Sequence, residues 1–311
     1  MQFKKPTFWD YPKITLWSII LFPFSILYLG IIWITKILAN FKTHKKPTIP
    51  VICVGNIYLG GTGKTPLVRE IFNISKSLGK NPAFIKKHYD YLSDEIKMLR
   101  ETGETYTSNK RHTSIFLSIF NNHDVAILDD GFQDFSIKPD FSILCFNSKQ
   151  MVGNGFVIPS GPLREKLNAI IRANCIIING EKNLEFEKKL YKNMGNKKLH
   201  IFYSKYKIKN IEKFKNKEIT AFAGIGNPSN FFDLLKENNL KIKETYSFPD
   251  HHNYSEKDFK KIIKDNSTKI ITTEKDYYRM NDDQKRNCDY VEVELEIDNK
   301  DKFKEIIKSY L

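Results

Sequence analysis

"VICVGNIYLGGTGKTP", residues 51–66, decides the fold. Val51 to Val54 read as a buried strand, and from Lys64 onward "KTPLVREIFNISKSLG" has the apolar spacing of a helix. A glycine-rich turn between strand and helix aims backbone N–H groups and the positive helix end at one point, which suits a phosphate. Gly60, Gly61, Thr62 and Gly63 would supply the amides. Lys64 would reach the outer phosphates, and the Thr65 hydroxyl would bind Mg²⁺. The regular pattern, G-x-x-x-x-G-K-[ST], has glycine where this chain has Tyr58. Gly60, Gly61 and Gly63 restore much of the lost flexibility. A plain turn needs one glycine and has no use for the Lys-Thr pair.

A second stretch agrees with the first. "HDVAILDDGFQ" (123–133) is a short apolar strand ending in Asp129-Asp130. In P-loop nucleotide hydrolases and kinases, an acidic strand end helps hold Mg²⁺. Alone this is weak, because Asp is an ordinary turn former. Beside the glycine loop it points to an ATP or GTP enzyme.

The 311 residues suffice for roughly two domains. The net charge of +14 suits an anionic lipid, nucleic acid or anionic substrate, or reflects a lysine-rich composition, since the lysines are spread along the chain. Cys53, Cys145, Cys175 and Cys288 are far apart and lack metal-ligand spacing, so they read as reduced core residues.

Residues 14–35, "ITLWSIILFPFSILYLGIIWIT", carry no charge. At roughly 22 residues the run is long enough to span a bilayer core. Trp17 and Trp33 stand near its ends, where interfacial aromatics are favoured. A cleaved signal peptide fits less well, because no small-residue cleavage site follows. A bent or interfacial helix remains open, because Pro23 and Gly30 interrupt the run. Lys36, Lys42, Lys45 and Lys46 follow it; Lys4, Lys5, Lys13 and Asp10 precede it. This slight bias places the body of the chain in the cytoplasm.

Beyond this segment, strands (49–54, 82–86, 123–128, 141–146, 174–179) alternate with helical patterns (64–79, 93–101, 112–121, and after Pro162). The alternation predicts an α/β fold: a P-loop type, mostly parallel sheet with helices on both faces. A lysine-rich stretch, 204–218, reads as a linker. A smaller α/β domain follows, with strands at 219–223, 269–273 and 290–295, a helix at 228–238 and a closing helix in "KDKFKEIIKSYL". The expected divisions are an anchor over 1–40, a kinase core over 41–206 and a second domain over 207–311.

Other stretches are unusual for plain structure. "GNGFVIPSGPLRE" (153–165) is costly to order unless it holds something; Arg164 would clamp a phosphate and Glu165 would support Mg²⁺. "FPDHHNYS" (248–255) sets Asp250 beside His251 and His252, either to orient an imidazole for proton transfer or as a capped surface turn. In "TTEKD" (272–276), Glu274 precedes the Lys-Asp pair, which argues against guanine reading.

Taken in order, "VGNIYLGGTGKTP", "DDGFQ", "GNGFVIPSGPLRE", "GIGNP" (224–228), "FPDHHNYS" and "TTEKD" resemble the motifs of the tetraacyldisaccharide 4'-kinase family. The similarity runs from residue 8 onward, and that family's P-loop also lacks its first glycine. The resemblance implies transfer of the ATP γ-phosphate to the 4'-hydroxyl of an acylated glucosamine disaccharide 1-phosphate. The product would be lipid IVA, made for lipopolysaccharide at the cytoplasmic face of a Gram-negative inner membrane. It implies ATP and Mg²⁺, with metal contacts at Thr65, Asp129, Asp130 and Glu165. Asp94, His251 and Lys64 would be catalytic, and Tyr89, Gln133, Asn154, Arg164 and His252 would contact substrate. The family's Ser-Arg-Gly-Tyr-Gly and Gly-Asp-Glu-Pro stretches are altered here to "KKHYDYLSDEI" (86–96), which keeps Tyr89, Asp94 and Glu95. Read without the resemblance, Asp94 is an N-terminal helix acid in "SDEIKMLRE" with Ser93 as cap. Asp94 and His251 would come from different domains, making catalysis depend on domain closure.

Two other classes fit less well. A membrane-anchored P-loop switch would want a guanine motif. A nucleic-acid-dependent ATPase would want clustered cations with aromatic platforms, and the lysines are scattered. The expected partners are therefore the lipid substrate and anionic inner-membrane lipid, with no nucleic acid.

Overall fold

The computed structural model describes residues 5–41, 46–89, 93–263 and 267–311. Lys4, Lys42, Lys45 and residues 90–92 of the altered stretch lie outside the described residues. The elements, in chain order, begin with helix α1 (Leu16–Phe41), strand β1 (Val51–Gly55), α2 (Lys64–Ser77), β2 (Pro82–Lys87) and α3 (Ser93–Arg100). Next come β3 (Thr105–Ser108), α4 (Arg111–Phe120), β4 (Val125–Asp129), β5 (Phe141–Asn147), β6 (Cys175–Asn179), α5 (Leu184–Met194) and β7 (His200–Ile208). The chain continues with β8 (Glu218–Ala223), α6 (Pro228–Glu237), β9 (Lys241–Ser247), α7 (Glu256–Ile262), β10 (Lys269–Thr273), α8 (Glu274–Arg279) and α9 (Asp282–Arg286). It closes with β11 (Asp289–Val291), β12 (Val293–Ile297) and α10 (Lys300–Lys308).

Two compact units result. The first comprises Lys5–His88, Gly103–Lys205 and Glu296–Leu311; the second comprises Tyr89–Thr102 and Tyr206–Leu295. This corrects the expected linear division. The stretch carrying Asp94 leaves the core and joins the unit that holds His251, so the two residues share one unit. The closing helix returns to the first unit. Residues 204–208, expected in a linker, complete β7.

The first unit is built on an eight-stranded sheet, ordered β12-β7-β6-β5-β1-β4-β2-β3. From β7 to β3 its neighbours pair in parallel. β1, β4, β5 and β6 are buried along their whole length, as a sheet covered on both faces requires. α2 buries Leu67, Val68, Ile71, Phe72, Ile74 and Ser75, the stripe its 3.6-residue period creates. Pro66 lies in its first turn, where a missing N–H costs nothing. All four cysteines are free and buried. The second unit carries a parallel sheet ordered β11-β10-β8-β9. Its core gathers Ile219, Ala221, Phe231, Leu235 and Ile271.

α1 runs unbroken through Pro23 and Gly30. Leu16–Ala39 is long and apolar enough to cross a membrane. One narrow stripe faces the protein: Ser18 and Ser25 are 1% exposed, and Tyr28 and Leu29 pack on the core. The rest faces outward, with Trp17, Leu27, Ile31 and Trp33 each more than 60% exposed.

Candidate functional site

The glycine loop of the first unit is ordered from within. Asn56 Nδ2 donates to Tyr58 O (2.6 Å), Gly60 O (3.3 Å) and Thr62 Oγ1 (3.0 Å). Gly60 (φ +133°) and Gly63 (φ +91°) take backbone conformations that side chains resist. Tyr58 is fully buried, and its hydroxyl donates to Asp10 and accepts from Lys5 Nζ (3.1 Å). The missing first glycine is thus a core residue, and its side chain ties the loop to the N-terminal segment.

Opposite this loop stands the end of β4. The register sets Asp129 beside Val54 of β1 and Lys86 of β2. Lys86 pairs with Asp129 Oδ2, both groups being buried. Asp129 Oδ1 is buried with no hydrogen-bond partner among the described residues. Asp130, in the left-handed region at φ +55°, turns its carboxylate toward Lys64 Nζ (3.8 Å). Arg164 Nη1 holds both its oxygens at 3.0 and 2.9 Å. Burial resists ionisation of Asp130, yet the Lys64 and Arg164 cations prevail and hold it well below the usual carboxylate range. Arg111 braces the turn, donating to Asp130 O (2.8 Å) and Asp134 Oδ2 (3.0 Å).

The 153–165 loop reaches this point by pairing with the glycine loop. Leu59 N donates to Pro162 O (2.8 Å) and Arg164 N to Ile57 O (2.7 Å). Gln133 Nε2 donates to Asn56 O (3.0 Å) and to Glu165 Oε1 (3.3 Å), while its Oε1 accepts from Arg164 (3.3 Å). Glu165 is 2% exposed and lies between Arg172 (2.6 Å) and Lys36 of α1 (2.9 Å). Lys64, Asp130, Gln133, Arg164 and Glu165 are therefore brought into one network, with Asp129, paired to Lys86, adjoining it on the strand end. Asn154 is not part of it. Its amide donates to Ser18 Oγ (3.1 Å) and Ser160 O (2.9 Å), and its Oδ1 accepts from Phe156 N (3.1 Å). Its side chain orders the loop.

Among the described residues no group of three or more His, Cys, Asp or Glu could hold a metal. Asp130, expected as a ligand, has Arg164 on both oxygens, whereas Glu165 Oε2, with Lys36 beside it, is buried without a hydrogen-bond partner among the described residues, as Asp129 Oδ1 is. Thr65 in the first turn of α2 and the unpartnered Asp129 Oδ1 do fit Mg²⁺. That ion commonly takes one or two protein oxygens and completes its shell with phosphates and water.

In the second unit Asp94, 1% exposed, meets His251 around one guanidinium. Arg279 donates to Asp94 Oδ2 from Nε (2.8 Å) and pairs with it through Nη2 (2.7 Å). Its Nη1 donates to Gly224 O (2.8 Å) and Asp276 Oδ1 (3.0 Å). His251 Nδ1 lies 3.4 Å from Arg279 Nη2 and 4.0 Å from Asp94 Oδ2. Asp94 Oδ1 is buried without a hydrogen-bond partner among the described residues. Burial first, then the nearby Lys275 ammonium, lowers the His251 pKa from its ordinary 6.5, against the opposing pull of Asp250. Lys275 also pairs with Glu95 (2.8 Å), so two ion pairs clamp α3 on α8. His252 stacks on Phe248, and its Nε2 meets Asp258, the capping-box acid of α7 (3.1 Å), while its Nδ1 is buried with no hydrogen-bond partner among the described residues. Tyr89 is 39% exposed.

A strand, glycine loop and Lys-Thr helix facing an acidic strand end define a P-loop phosphate-binding protein. Residues 17–311 match the family described as Tetraacyldisaccharide-1-P 4'-kinase (LpxK), and the chain belongs to that family. It is 42% identical over 314 residues to the "Tetraacyldisaccharide 4'-kinase" of Pelagibacter ubique, covering 99% of this chain and 98% of that protein. Against the enzyme of the same name from Francisella tularensis subsp. novicida the identity is 30%, over 93% and 98% of the two chains. A crystal structure of LpxK from Aquifex aeolicus in complex with ATP superposes with a TM-score of 0.74, at 26% identity, over 94% of this chain and 99% of that one. The chain is accordingly a kinase with a mostly parallel α/β fold.

Proposed function

We propose that this kinase moves the γ-phosphate of ATP onto the 4'-hydroxyl of an acylated glucosamine disaccharide 1-phosphate, forming lipid IVA. Membership of the family supports the reaction. The observation that carries the site assignment is the convergence of Lys64 and Arg164 on Asp130 at the mouth of the glycine loop. Two cations held there by a carboxylate are preorganised for a more strongly charged guest. Phosphoryl transfer demands such positioning and charge neutralisation.

In this reading the amides of 60–63 cradle the phosphates and Lys64 reaches the transferring group. Mg²⁺ on Thr65 and Asp129 would neutralise phosphate charge. Gln133 and Glu165 fix Arg164, which faces phosphate oxygens. Asp94 accepts the sugar hydroxyl proton at Oδ1, the oxygen Arg279 leaves open, and His251 stands beside it.

The outward apolar face of α1 supports seating in one leaflet of the inner membrane. Its polar stripe is engaged with the protein, so the helix lies along the body of its own unit rather than standing free of it. ATP use and the lysines near the helix support a cytoplasmic face with anionic lipid around it. Purified protein, radiolabelled ATP and the disaccharide 1-phosphate test the reaction. Label is expected in the lipid, and its absence with active nucleotide binding would overturn the acceptor.

A further inference from the structure

α1 does more than offer an apolar surface. The 153–165 loop is held on two sides. On one side it pairs with the glycine loop, through Leu59 N to Pro162 O and Arg164 N to Ile57 O. On the other it is held by α1 and the segment before it. Ser25 Oγ donates to Val157 O (2.9 Å) and accepts from Ser160 N (3.1 Å). Trp9 Nε1 donates to Pro159 O (3.0 Å), and Asn154 reaches Ser18. These contacts occupy the first half of the helix. Toward its C-terminal end, Lys36 passes over the Phe135 ring (4.9 Å) and meets Glu165 Oε2 at 2.9 Å.

Glu165 is the decisive residue. Its carboxylate is 2% exposed and sits between two cations: Arg172 donates to Oε1, and Lys36 stands 2.9 Å from Oε2 as an ion pair, the one charge facing an oxygen that has no hydrogen-bond partner among the described residues. Arg172 is fixed in turn by the Phe132 and Phe135 rings (4.1 and 4.8 Å). A buried carboxylate that loses one of its cations must move or admit water. Each of these displaces Gln133 and Arg164, which share its network.

We propose that α1 is part of the active-site scaffold and that Lys36 is a positioning residue for Glu165. Seating the helix at a lipid surface and setting the phosphate end of the site are then one event. A lipid kinase built this way reaches full turnover only where its acceptor is found. This rests on the phosphoryl-transfer reading above, and the controls separate the two.

The test uses the full chain in detergent micelles with the disaccharide 1-phosphate. Lys36→Gln is expected to lower kcat by about 10–100-fold, the usual effect of removing a partner behind a ligand-holding residue. Lys36→Arg should recover most of it. Flotation of Lys36→Gln with phosphatidylethanolamine–phosphatidylglycerol vesicles should match the parent protein. The rise in Tm that ATP produces should shrink, because Arg164 loses its fixed place. Ile31→Ser, on the outward face, should do the reverse: weaker flotation with unchanged kcat in micelles. Adding Glu165→Gln to Lys36→Gln should cost little more, because the two act through one carboxylate. Parental kcat and ATP-dependent Tm rise in Lys36→Gln would overturn the proposal, as would a Lys36→Arg no better than Lys36→Gln. Lys64→Ala runs alongside: if it turns over normally the phosphoryl reading has failed, whereas an inactive Lys64→Ala with a normal Lys36→Gln removes only the scaffold role.

Discussion

Asp130 holds two cations on one carboxylate. Lys64 and Arg164 both lean on it, and a nucleotide would draw both away. Lys64→Ala is therefore expected to lower kcat by about 10²–10³, the usual loss for one preorganised electrostatic contact, with the Tm nearly unchanged. Steady-state kinetics beside a thermal melt check both halves. His251 makes a second prediction. Its lowered pKa keeps the ring neutral below the ordinary 6.5. Once protonated it would add a cation beside Asp94 and weaken that carboxylate as a proton acceptor, so kcat should fall only as pH drops below 6.5. Lys275→Gln removes a cation that lowers this pKa and takes away the Lys275 partner of Glu95. Loss of that cation favours the charged ring, so the acid limb should move upward. A kcat profile for the variant that overlays the parent would exclude Lys275 from the effect. Lys64, Asp129, Asp130, Arg164 and Glu165 were legible in the sequence because each sits in a short motif with local grammar. Arg279, Lys86, Arg111 and Lys36 were not. Their partners lie far along the chain, as with Arg279 and Asp94, 185 residues apart, and a lone cation in a lysine-rich sequence carries no signal of that.

The glycine loop is the element on which both sequence and structure converge, yet its stiffness comes from two non-glycine residues. Asn56 holds three loop groups, and Tyr58 buries its ring. Asn56→Ala removes donors from buried acceptors and is expected to cost about 1–3 kcal/mol of stability, measurable by urea titration, and to raise the Kd for ATP. Unchanged ATP affinity would show that nucleotide can order the loop unaided. Buried strands β1, β4, β5 and β6 were readable because a strand covered on both faces is a continuous apolar run. β3 and β9 were missed. β9 exposes most of its length at the edge of its sheet, and β3 is only half-buried at the edge of the other, so neither shows a clear apolar pattern. The 290–295 run concealed a boundary, since β11 and β12 belong to different sheets.

For the whole molecule, two forces bind the membrane, and salt separates them. A net charge of +14 attracts anionic lipid, but at 1 M salt the Debye length falls to about 3 Å. The apolar face of α1 is indifferent to screening. Flotation with anionic vesicles is expected to weaken, yet persist, as salt rises; full release would mean charge alone holds the protein. Deleting residues 1–40 should abolish the salt-resistant part and, through loss of Lys36, most of the turnover in micelles. A deletion that keeps parental kcat would leave α1 as an anchor only.

The order of strands has a consequence for the protein's synthesis. The eight-stranded sheet takes its last edge strand, β12, and the helix α10, whose Lys300 pairs with Glu70 of α2 at 2.7 Å, from residues made after the entire 206–291 stretch. At about 5–20 residues per second on a ribosome, β7 waits several seconds with an open edge. α1 has left the ribosome long before. The nascent chain can therefore meet the bilayer while its nucleotide sheet is still unfinished, and its address is established before its chemistry.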